Sequence, residues 1–352
     1  MIPARLLGLG HATPSHDLPQ DVARDWARIQ FADRFPAFER MAPVFANAGI
    51  AHRQIAMPVE WYLQPQDWAT RTAAYRQIAR GLFIDAARDA IGAAGLTADA
   101  IDIVVTVSST GIATPSLEAL AHAELGLRAD VVRVPVFGLG CAGGVSGLAL
   151  AARLAAATPG ARVLLVAVEL CSLSFRQDQL SKSNVVATAL FGDGAAAAVL
   201  STQGPAEVAV VAAAEHLWPG TLDVMGWDVA PHGFGVIFAQ SIPALVAGHL
   251  RSAMTGLCNR MEVAQGDIGR FVCHPGGAKV IEALEASLDL PTGTLDDERA
   301  VLADHGNMSA PTVLFVLQRL LAGKGLADDR PGMLLALGPG FTLSGALVMP
   351  VP

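Results

Sequence analysis

The chain has 352 residues, of which 52% are hydrophobic and 16% are charged, and it carries a formal net charge of −8 at pH 7. This length and composition predict an ordered globular protein with a large core and exclude a disordered or fibrous chain. The acidic balance, with no stretch rich in lysine or arginine, excludes a surface built for nucleic acid or anionic lipid.

The apolar segments are interrupted before they reach the roughly 18 to 20 residues of a membrane-spanning helix. Glu169, Asp193 and several glycines break the longest of them. The first residues turn polar after a few apolar positions and lack the apolar core and cleavage site of a signal peptide. We therefore predict a cytoplasmic protein without a membrane span.

Short valine-rich apolar runs alternate with helical patterns along the chain. Runs that are apolar on both faces are typical of strands covered on both sides. The predicted strands are 6–9, 101–109, 161–170, 195–201, 207–215, 268–276, 332–338 and 345–350, and the clearest helical patterns are 72–95 and 310–325. This alternation predicts a layered α/β fold.

The order of elements repeats in the two halves of the chain. In each half a helix leads into a strand, a polar turn later opens a second helix, and a glycine-turn hairpin closes the unit. We therefore predict an internally duplicated fold with units 1–203 and 204–352. The first unit carries Cys141, the second carries His274 and Asn307, and the three are expected to converge where the halves meet.

Cys141 lies between glycines in GLGCAGG, ahead of an alanine-rich helical pattern. A thiol at a helix start faces free N–H groups and the positive end of the helix dipole, so we expect a lowered pKa. The glycines are expected to leave room for backbone and substrate near the sulfur. The competing interpretation, a small buried hydrophobe, is the default for every cysteine here, since their spacing fits neither zinc nor a disulfide.

His274 and Asn307 are the polar residues best placed to act with such a thiol. His274, in CHPGG, stands at the end of a strand that proline and glycine stop sharply. Asn307, in HGNMSA, precedes a helical pattern, where a helix N-cap is the competing interpretation.

This set of residues suits thioester chemistry. A cysteine beside a histidine can accept an acyl group from a thioester. N–H groups of a histidine and an asparagine, aimed at one thioester oxygen, would stabilise the enolate that forms when a malonyl thioester loses CO2. The set therefore predicts carbon–carbon bond formation by decarboxylative Claisen condensation.

The three motifs, in this order, resemble those of type III polyketide synthases, the chalcone synthase-like branch of the thiolase superfamily. The resemblance runs from GLGHATPSH near the start to LGPGFTLSGALVM at the end. It implies a thiolase-like five-layered αβαβα fold and a homodimer. It also implies acyl-CoA and malonyl-CoA as substrates, with no cofactor or metal beyond these coenzyme A thioesters. Because ELCSL resembles bacterial members, some of which make alkylpyrones, alkylresorcinols or tetrahydroxynaphthalene, we predict an alkylpyrone- or alkylresorcinol-type product.

The resemblance also assigns residues to the substrate cavity. Phe191 matches the family's gatekeeper phenylalanine, and Val236 matches a second gatekeeper position, where a smaller residue suits a long or bulky starter. Gly338 and Phe341 belong to the glycine loop that shapes the cavity wall. The other implied positions are Ser109, Cys171 and Ser174 in the cavity, Thr114 near the partner subunit's cavity, and Arg53, with His52, in a basic coenzyme A cluster.

The sequence leaves four alternative functions open. A ketoacyl synthase III-like enzyme would serve an acidic carrier protein, which prefers a basic docking patch that this sequence does not show. A thiolase usually needs a second reactive cysteine, whereas Cys273 is expected to point away from His274. A hydrolase on the same cysteine and a catalytically silent acyl-binding subunit are the remaining alternatives.

Overall fold

The computed structural model of the protein describes residues 2–231, 233–323, 325–326 and 329–351. In chain order, the strands are β1 (Ala4–Ala12), β2 (His16–Pro19), β3 (His52–Ile55), β4 (Ile103–Val107), β5 (Val132–Val136), β6 (Val163–Leu170), β7 (Asp193–Ser201), β8 (Val208–Leu217), β9 (Met225–Ala230), β10 (Gly233–Phe238), β11 (Arg270–Cys273), β12 (Gly332–Gly338) and β13 (Thr342–Pro350). The helices are α1 (Gln20–Phe31), α2 (Phe38–Met41), α3 (Pro43–Asn47), α4 (Val59–Tyr62), α5 (Trp68–Ala93), α6 (Leu117–Leu125), α7 (Gly143–Ala157), α8 (Lys182–Leu190), α9 (Ile242–Arg260), α10 (Ala278–Ser287), α11 (Asp296–His305) and α12 (Thr312–Gly323).

One mixed sheet of nine strands runs through the molecule in the order β11-β12-β13-β8-β1-β7-β6-β4-β5. In the first half, β4 and β6 are parallel, whereas the β6–β7 and β7–β1 pairs are antiparallel. The second half repeats this series, with β11 and β12 parallel and the β12–β13 and β13–β8 pairs antiparallel. The halves join where β1 pairs with β8. The predicted internal duplication is therefore visible in the strand pairing.

Three layers of helices enclose the two halves of the sheet. Helices α5 and α6 pack on the outer face of the first half, and α9 and α10 pack on that of the second half. Helices α7 and α12 lie between the halves in a shared core. The layers follow the order αβαβα, which confirms the predicted five-layered fold.

Strand β6 shows why these runs are apolar on both faces. All of its residues are buried. Leu164 and Val166 pack in the outer core with α5, whereas Leu165 and Ala167 pack in the middle core with α7. Alternate side chains of a strand point to opposite faces, so a strand between two helical layers needs apolar residues throughout.

The stretch 140–157 is long and apolar enough by composition to cross a membrane, and 67% of it is buried inside the fold. The expectation that every apolar segment falls short is therefore wrong for this stretch. Its composition follows from its place in the middle layer, where α7 contacts strands of both halves.

The observed strands include elements that the sequence analysis missed. Strand β5, VRVPV, carries a proline and an exposed arginine and lies at the edge of the sheet, where such residues are tolerated. Strands β9 and β10 form a separate hairpin. The predicted helix 310–325 is described over Thr312–Gly323, and Lys324 lies outside the described residues.

Candidate active site

Cys141 is the middle residue of a 3-10 turn that leads into α7. Gly140 adopts a positive φ of 48°, which L side chains rarely allow. A methyl group on Gly143 would lie 3.2 Å from the Ala310 Cβ, and one on Gly144 would collide with the Ala310 carbonyl oxygen. The glycines that follow Cys141 therefore permit close packing of α7. The prediction that the glycines clear room for a substrate is wrong for Gly143 and Gly144.

Asn307 connects Cys141 to the CHPGG loop. Its Oδ1 lies 3.9 Å from Cys141 Sγ and accepts a hydrogen bond from the Ser309 N–H at 2.8 Å. Its Nδ2 donates to the Gly276 carbonyl oxygen at 3.3 Å. Because α12 begins only at Thr312, Asn307 does not cap that helix.

The backbone of Asn307 is paired with the end of α8. The Asn307 N–H donates to the Leu190 carbonyl at 2.8 Å, and the Gly192 N–H donates to the Asn307 carbonyl at 3.0 Å. Phe191 and Asn307 thus form an isolated bridge. The predicted gatekeeper and the predicted oxyanion donor are therefore held as one unit.

His274 directly follows β11, and its N–H donates to the Leu335 carbonyl at 2.8 Å. The side chain is buried, and among the described residues neither ring nitrogen has a hydrogen-bond partner. Burial lowers the pKa of His274 to about 3. The imidazole is therefore neutral near pH 7, and the described residues leave both of its nitrogens without a partner.

The Cys141 thiol is 5% exposed, and burial raises its pKa to about 11. Hydrogen bonds with Ser309 and Asn307 oppose this shift, while the charge of Glu169 adds to it. The predicted lowering of the pKa is therefore wrong, because desolvation of the thiolate outweighs these hydrogen bonds and the effect of the helix start. The free site holds a neutral thiol and a neutral imidazole.

We therefore expect iodoacetamide to alkylate Cys141 on the order of tenfold faster for each pH unit between pH 7 and pH 9. The thiolate is the reactive form, and its fraction rises tenfold per unit below the pKa. Rates measured by mass spectrometry of the Cys141 peptide would test this. A rate that levels off near pH 7 would show that the thiol ionises there and would contradict the raised pKa.

Two cavities share part of their walls, and one of them contains the thiol. The reaction chamber is lined by Cys141, Ser109 and Ser309 among others. The inner chamber adjoins it. The residues that line both chambers are Cys171, Phe191, Trp227 and Val236. The structure thus places the two predicted gatekeepers and Cys171 at the boundary between the chambers.

Ser109 also holds the loop that precedes Cys141. Its Oγ accepts hydrogen bonds from the N–H groups of Gly138 at 3.2 Å and Gly140 at 3.1 Å. Its own N–H donates to both carboxyl oxygens of Glu169, at 3.1 and 3.0 Å. Burial raises the pKa of Glu169 to about 8 in spite of these bonds. From the sequence, Glu169 was predicted only to interrupt an apolar segment, and no role beside Ser109 was predicted for it.

The other predicted cavity residues divide into two groups. Ser174 lines the inner chamber, and its hydroxyl has no hydrogen-bond partner within the described ranges. In the described part of the chain, Gly338, Phe341 and Thr114 lie outside the walls of both chambers. Gly338 packs against the turn that carries Cys141, and Phe341 is buried against a tryptophan ring. Thr114 lies exposed on the loop after β4.

Arg53 does not belong to a surface cluster. Its side chain is 1% exposed and lies beside the inner chamber. The predicted coenzyme A role is wrong for Arg53, because a guanidinium enclosed in the protein cannot meet the phosphates of a ligand that arrives from solvent. His52 lies nearer the surface and contacts Asp17 at 2.7 Å.

Two family models match almost the whole chain. The model for the N-terminal domain of chalcone and stilbene synthases matches residues 2–204, and the model for their C-terminal domain matches residues 209–352. The chain belongs to the type III polyketide synthase family. It is an enzyme of the acyltransferase type that acts in polyketide biosynthesis.

Individual relatives agree with this family. The 1,3,6,8-tetrahydroxynaphthalene synthase of Streptomyces peucetius subsp. caesius is 41% identical to this polyketide synthase over 300 residues, 84% of this chain and 79% of the relative. A protein of Bacillus subtilis (strain 168) that carries a chalcone synthase name is 36% identical over 352 residues, 96% of each chain. The solved structure of the Streptomyces coelicolor A3(2) tetrahydroxynaphthalene synthase, a bacterial type III polyketide synthase, matches with a TM-score of 0.93 and 28% identity over 99% of both chains.

The β9–β10 hairpin is the part of this polyketide synthase site that the sequence analysis overlooked. Trp227 on β9 lines both chambers, as its partner Val236 on β10 does. Phe238 lies edge-on to Phe191, with ring centroids 5.8 Å apart. The glycine at the start of β10 and the alternating apolar residues of GFGVIF are the signal that could have predicted this hairpin.

Proposed function

We propose that this polyketide synthase loads an acyl-CoA starter on Cys141 and extends it with malonyl-CoA beside His274 and Asn307. Cyclisation then gives an alkylpyrone- or alkylresorcinol-type product. The observation that carries the proposal is the Asn307 side chain, which contacts both the Cys141 thiol, in the wall of the reaction chamber, and the CHPGG loop.

Loading begins with a neutral thiol. As Cys141 Sγ attacks the carbonyl carbon of the starter thioester, the thiol proton passes to the His274 imidazole, which is neutral and unpartnered among the described residues. The carbon–sulfur bond to coenzyme A breaks, and the leaving coenzyme A sulfur takes up this proton. The starter is now a thioester of Cys141.

Extension uses the side chains of His274 and Asn307, which act on malonyl-CoA. The carboxylate leaves as CO2, and its bonding electrons move onto the thioester oxygen of the resulting enolate. One Nδ2 hydrogen of Asn307 is bonded to the Gly276 carbonyl. The other Nδ2 hydrogen and a His274 N–H stabilise the enolate oxygen. The enolate carbon then attacks the acyl carbon on Cys141, and the sulfur leaves that carbon.

The inner chamber supports an apolar starter. Its wall is mostly hydrophobic, and the apolar side chains that line it include Leu18, Trp26, Ile55, Val59, Phe175, Phe191, Trp227 and Val236. An acyl chain placed there would leave water, which is favourable by about 0.8 kcal/mol for each methylene. Val236 lines both chambers, so we expect its small side chain to leave a passage between them open.

Replacement of Val236 by Phe should therefore narrow the range of starters. We expect the V236F enzyme to keep acetyl-CoA as a starter and to lose at least about tenfold in kcat/KM for dodecanoyl-CoA, since the larger ring overpacks the passage. Product formation across acyl-CoA esters of two to eighteen carbons measures this. Val229→Phe is the matched control, because Val229 lies on the same hairpin and is 67% exposed. An unchanged starter range in V236F would contradict the assignment of the inner chamber, and product from malonyl-CoA alone would instead favour a tetrahydroxynaphthalene-type reaction.

We also propose that the enzyme works in the cytoplasm as a homodimer. Strand β5 lies at the end of the sheet, and Ile112, Val132 and Phe137 are exposed around it. A free strand edge beside apolar side chains suits pairing with a second copy of the same surface. Light scattering should give twice the mass of one chain, and the mass of a single chain would contradict the dimer.

A further inference from the structure

Arg53 is a buried cation that takes part in no step of the proposed reaction. It belongs to the largest fully buried side chains of the protein. Burial lowers its pKa to about 10, and the nearby carboxylate of Asp193 opposes that shift. A guanidinium is expensive to bury, so the contacts it makes should explain its presence.

The guanidinium binds the C-terminal end of α8. Nη1 donates to the Ala189 carbonyl at 2.7 Å and to Gln20 Oε1 at 2.9 Å. Nη2 donates to the Thr188 carbonyl at 2.7 Å. Carbonyl groups in the last turn of a helix have no partner within that helix, so a cation placed there stabilises the helix end.

The aliphatic stem of Arg53 lies against two glycines. A methyl group on Gly192 would lie 3.2 Å from Arg53 Cβ, and one on Gly306 would lie 3.3 Å from Arg53 Cδ. Gly192 directly follows Phe191, and Gly306 directly precedes Asn307. The stem therefore packs beside both segments of the backbone bridge that pairs Phe191 with Asn307.

We propose that Arg53 is a positioning residue that fixes Asn307, through the end of α8 and the Phe191–Asn307 bridge, at the place where the enolate oxygen forms. This proposal rests on the proposed function of Asn307. Arginine suits the position because its planar fork reaches several carbonyl oxygens at once while its stem stays in the apolar interior. Lysine offers a single ammonium and cannot reproduce that fork.

The first test separates loading from decarboxylation. Arg53→Met keeps the stem and removes the donors. The fraction of enzyme that carries a starter acyl group, counted over molecules whose Cys141 thiol reacts with a thiol reagent, should equal that of the wild type. The Arg53→Met enzyme should release CO2 from malonyl-CoA at least about tenfold more slowly, in kcat rather than in KM, because a displaced oxyanion donor weakens the transition state only.

Three further variants address folding and charge. Arg53→Lys should recover only part of the loss. Arg128→Met removes a more exposed arginine that binds Asp102 and Asp130, and it should leave both rates unchanged. If Arg53→Met does not fold, Gln20→Met, which removes one guanidinium partner, should show the same selective loss to a smaller degree. Equal losses of loading and decarboxylation in the folded variants would overturn the proposal.

The decisive experiment is a double-mutant cycle on malonyl-CoA decarboxylation. If Arg53 acts through Asn307, Arg53→Met should cost the Asn307→Ala enzyme less than twofold, although it costs the wild-type enzyme at least about tenfold. Equal losses in both backgrounds would overturn the role of Arg53 and leave the proposed function intact. An Asn307→Ala enzyme with wild-type decarboxylation would overturn the proposed function and the role of Arg53 with it.

Discussion

Replacement of Cys141 by Ala should abolish formation of the acyl-enzyme and of any polyketide product. The variant removes the only nucleophile assigned to the reaction chamber while its smaller side chain fits the same turn. After incubation with an acyl-CoA starter, intact-protein mass spectrometry should show the acyl adduct on the wild-type chain and none on the variant.

The control for this experiment is Cys258→Ala. Cys258 is a buried thiol in the core of the second half, on α9, and its loss should leave the acyl adduct in place. If the Cys141→Ala enzyme still carried an acyl group or formed product, another residue would be the nucleophile and the mechanism would be wrong.

Replacement of Asn307 by Ala should slow malonyl-CoA decarboxylation by roughly two to three orders of magnitude, the usual effect of losing one oxyanion donor. Loading of Cys141 should continue, because the thiol attacks the starter before any malonyl group reacts. The Asn307→Asp enzyme should be at least as slow, since a carboxylate of the same size repels the enolate. Release of labelled CO2 from malonyl-CoA measures all three enzymes.

Asn259→Ala serves as the control, because Asn259 is an exposed residue near the end of α9. If Asn307→Ala released CO2 at the wild-type rate, its amide would have no part in stabilising the enolate. Its contacts with Gly276 and Ser309 would then be structural only.

The motifs around Cys141, His274 and Asn307 could be found in the sequence because each is a local signal. A glycine-flanked cysteine before a helix, and a histidine followed by Pro-Gly-Gly, are set by a few consecutive residues. The repeated order of strands and helices likewise predicted a duplicated α/β fold, and the resemblance to type III polyketide synthases implied its five layers.

The pKa values could not be predicted in this way. They depend on how far each group is removed from water, and that is decided by segments far apart in the chain. The position of Cys141 at a helix start predicted a lowered pKa. The surrounding protein desolvates the thiolate and raises the pKa instead.

The inner chamber and the contacts of Arg53 could not be predicted from the sequence for the same reason. Leu18, near the start of the chain, and Val236, in a hairpin of the second half, line the same cavity. Arg53 stands next to His52 in the sequence and resembles an exposed basic residue there. Only the contacts with α8 and with two distant glycines show where its side chain lies.

In the proposed function, this chain makes carbon–carbon bonds from coenzyme A esters with Cys141, His274 and Asn307. The most direct measurement is incubation of the purified wild-type enzyme with labelled malonyl-CoA and dodecanoyl-CoA, without a carrier protein. We expect labelled pyrone or resorcinol products whose masses equal the starter plus whole malonyl-derived units. If coenzyme A esters gave no product and turnover appeared only with malonyl-carrier protein, this result would contradict the proposed function and favour a ketoacyl synthase III-like enzyme.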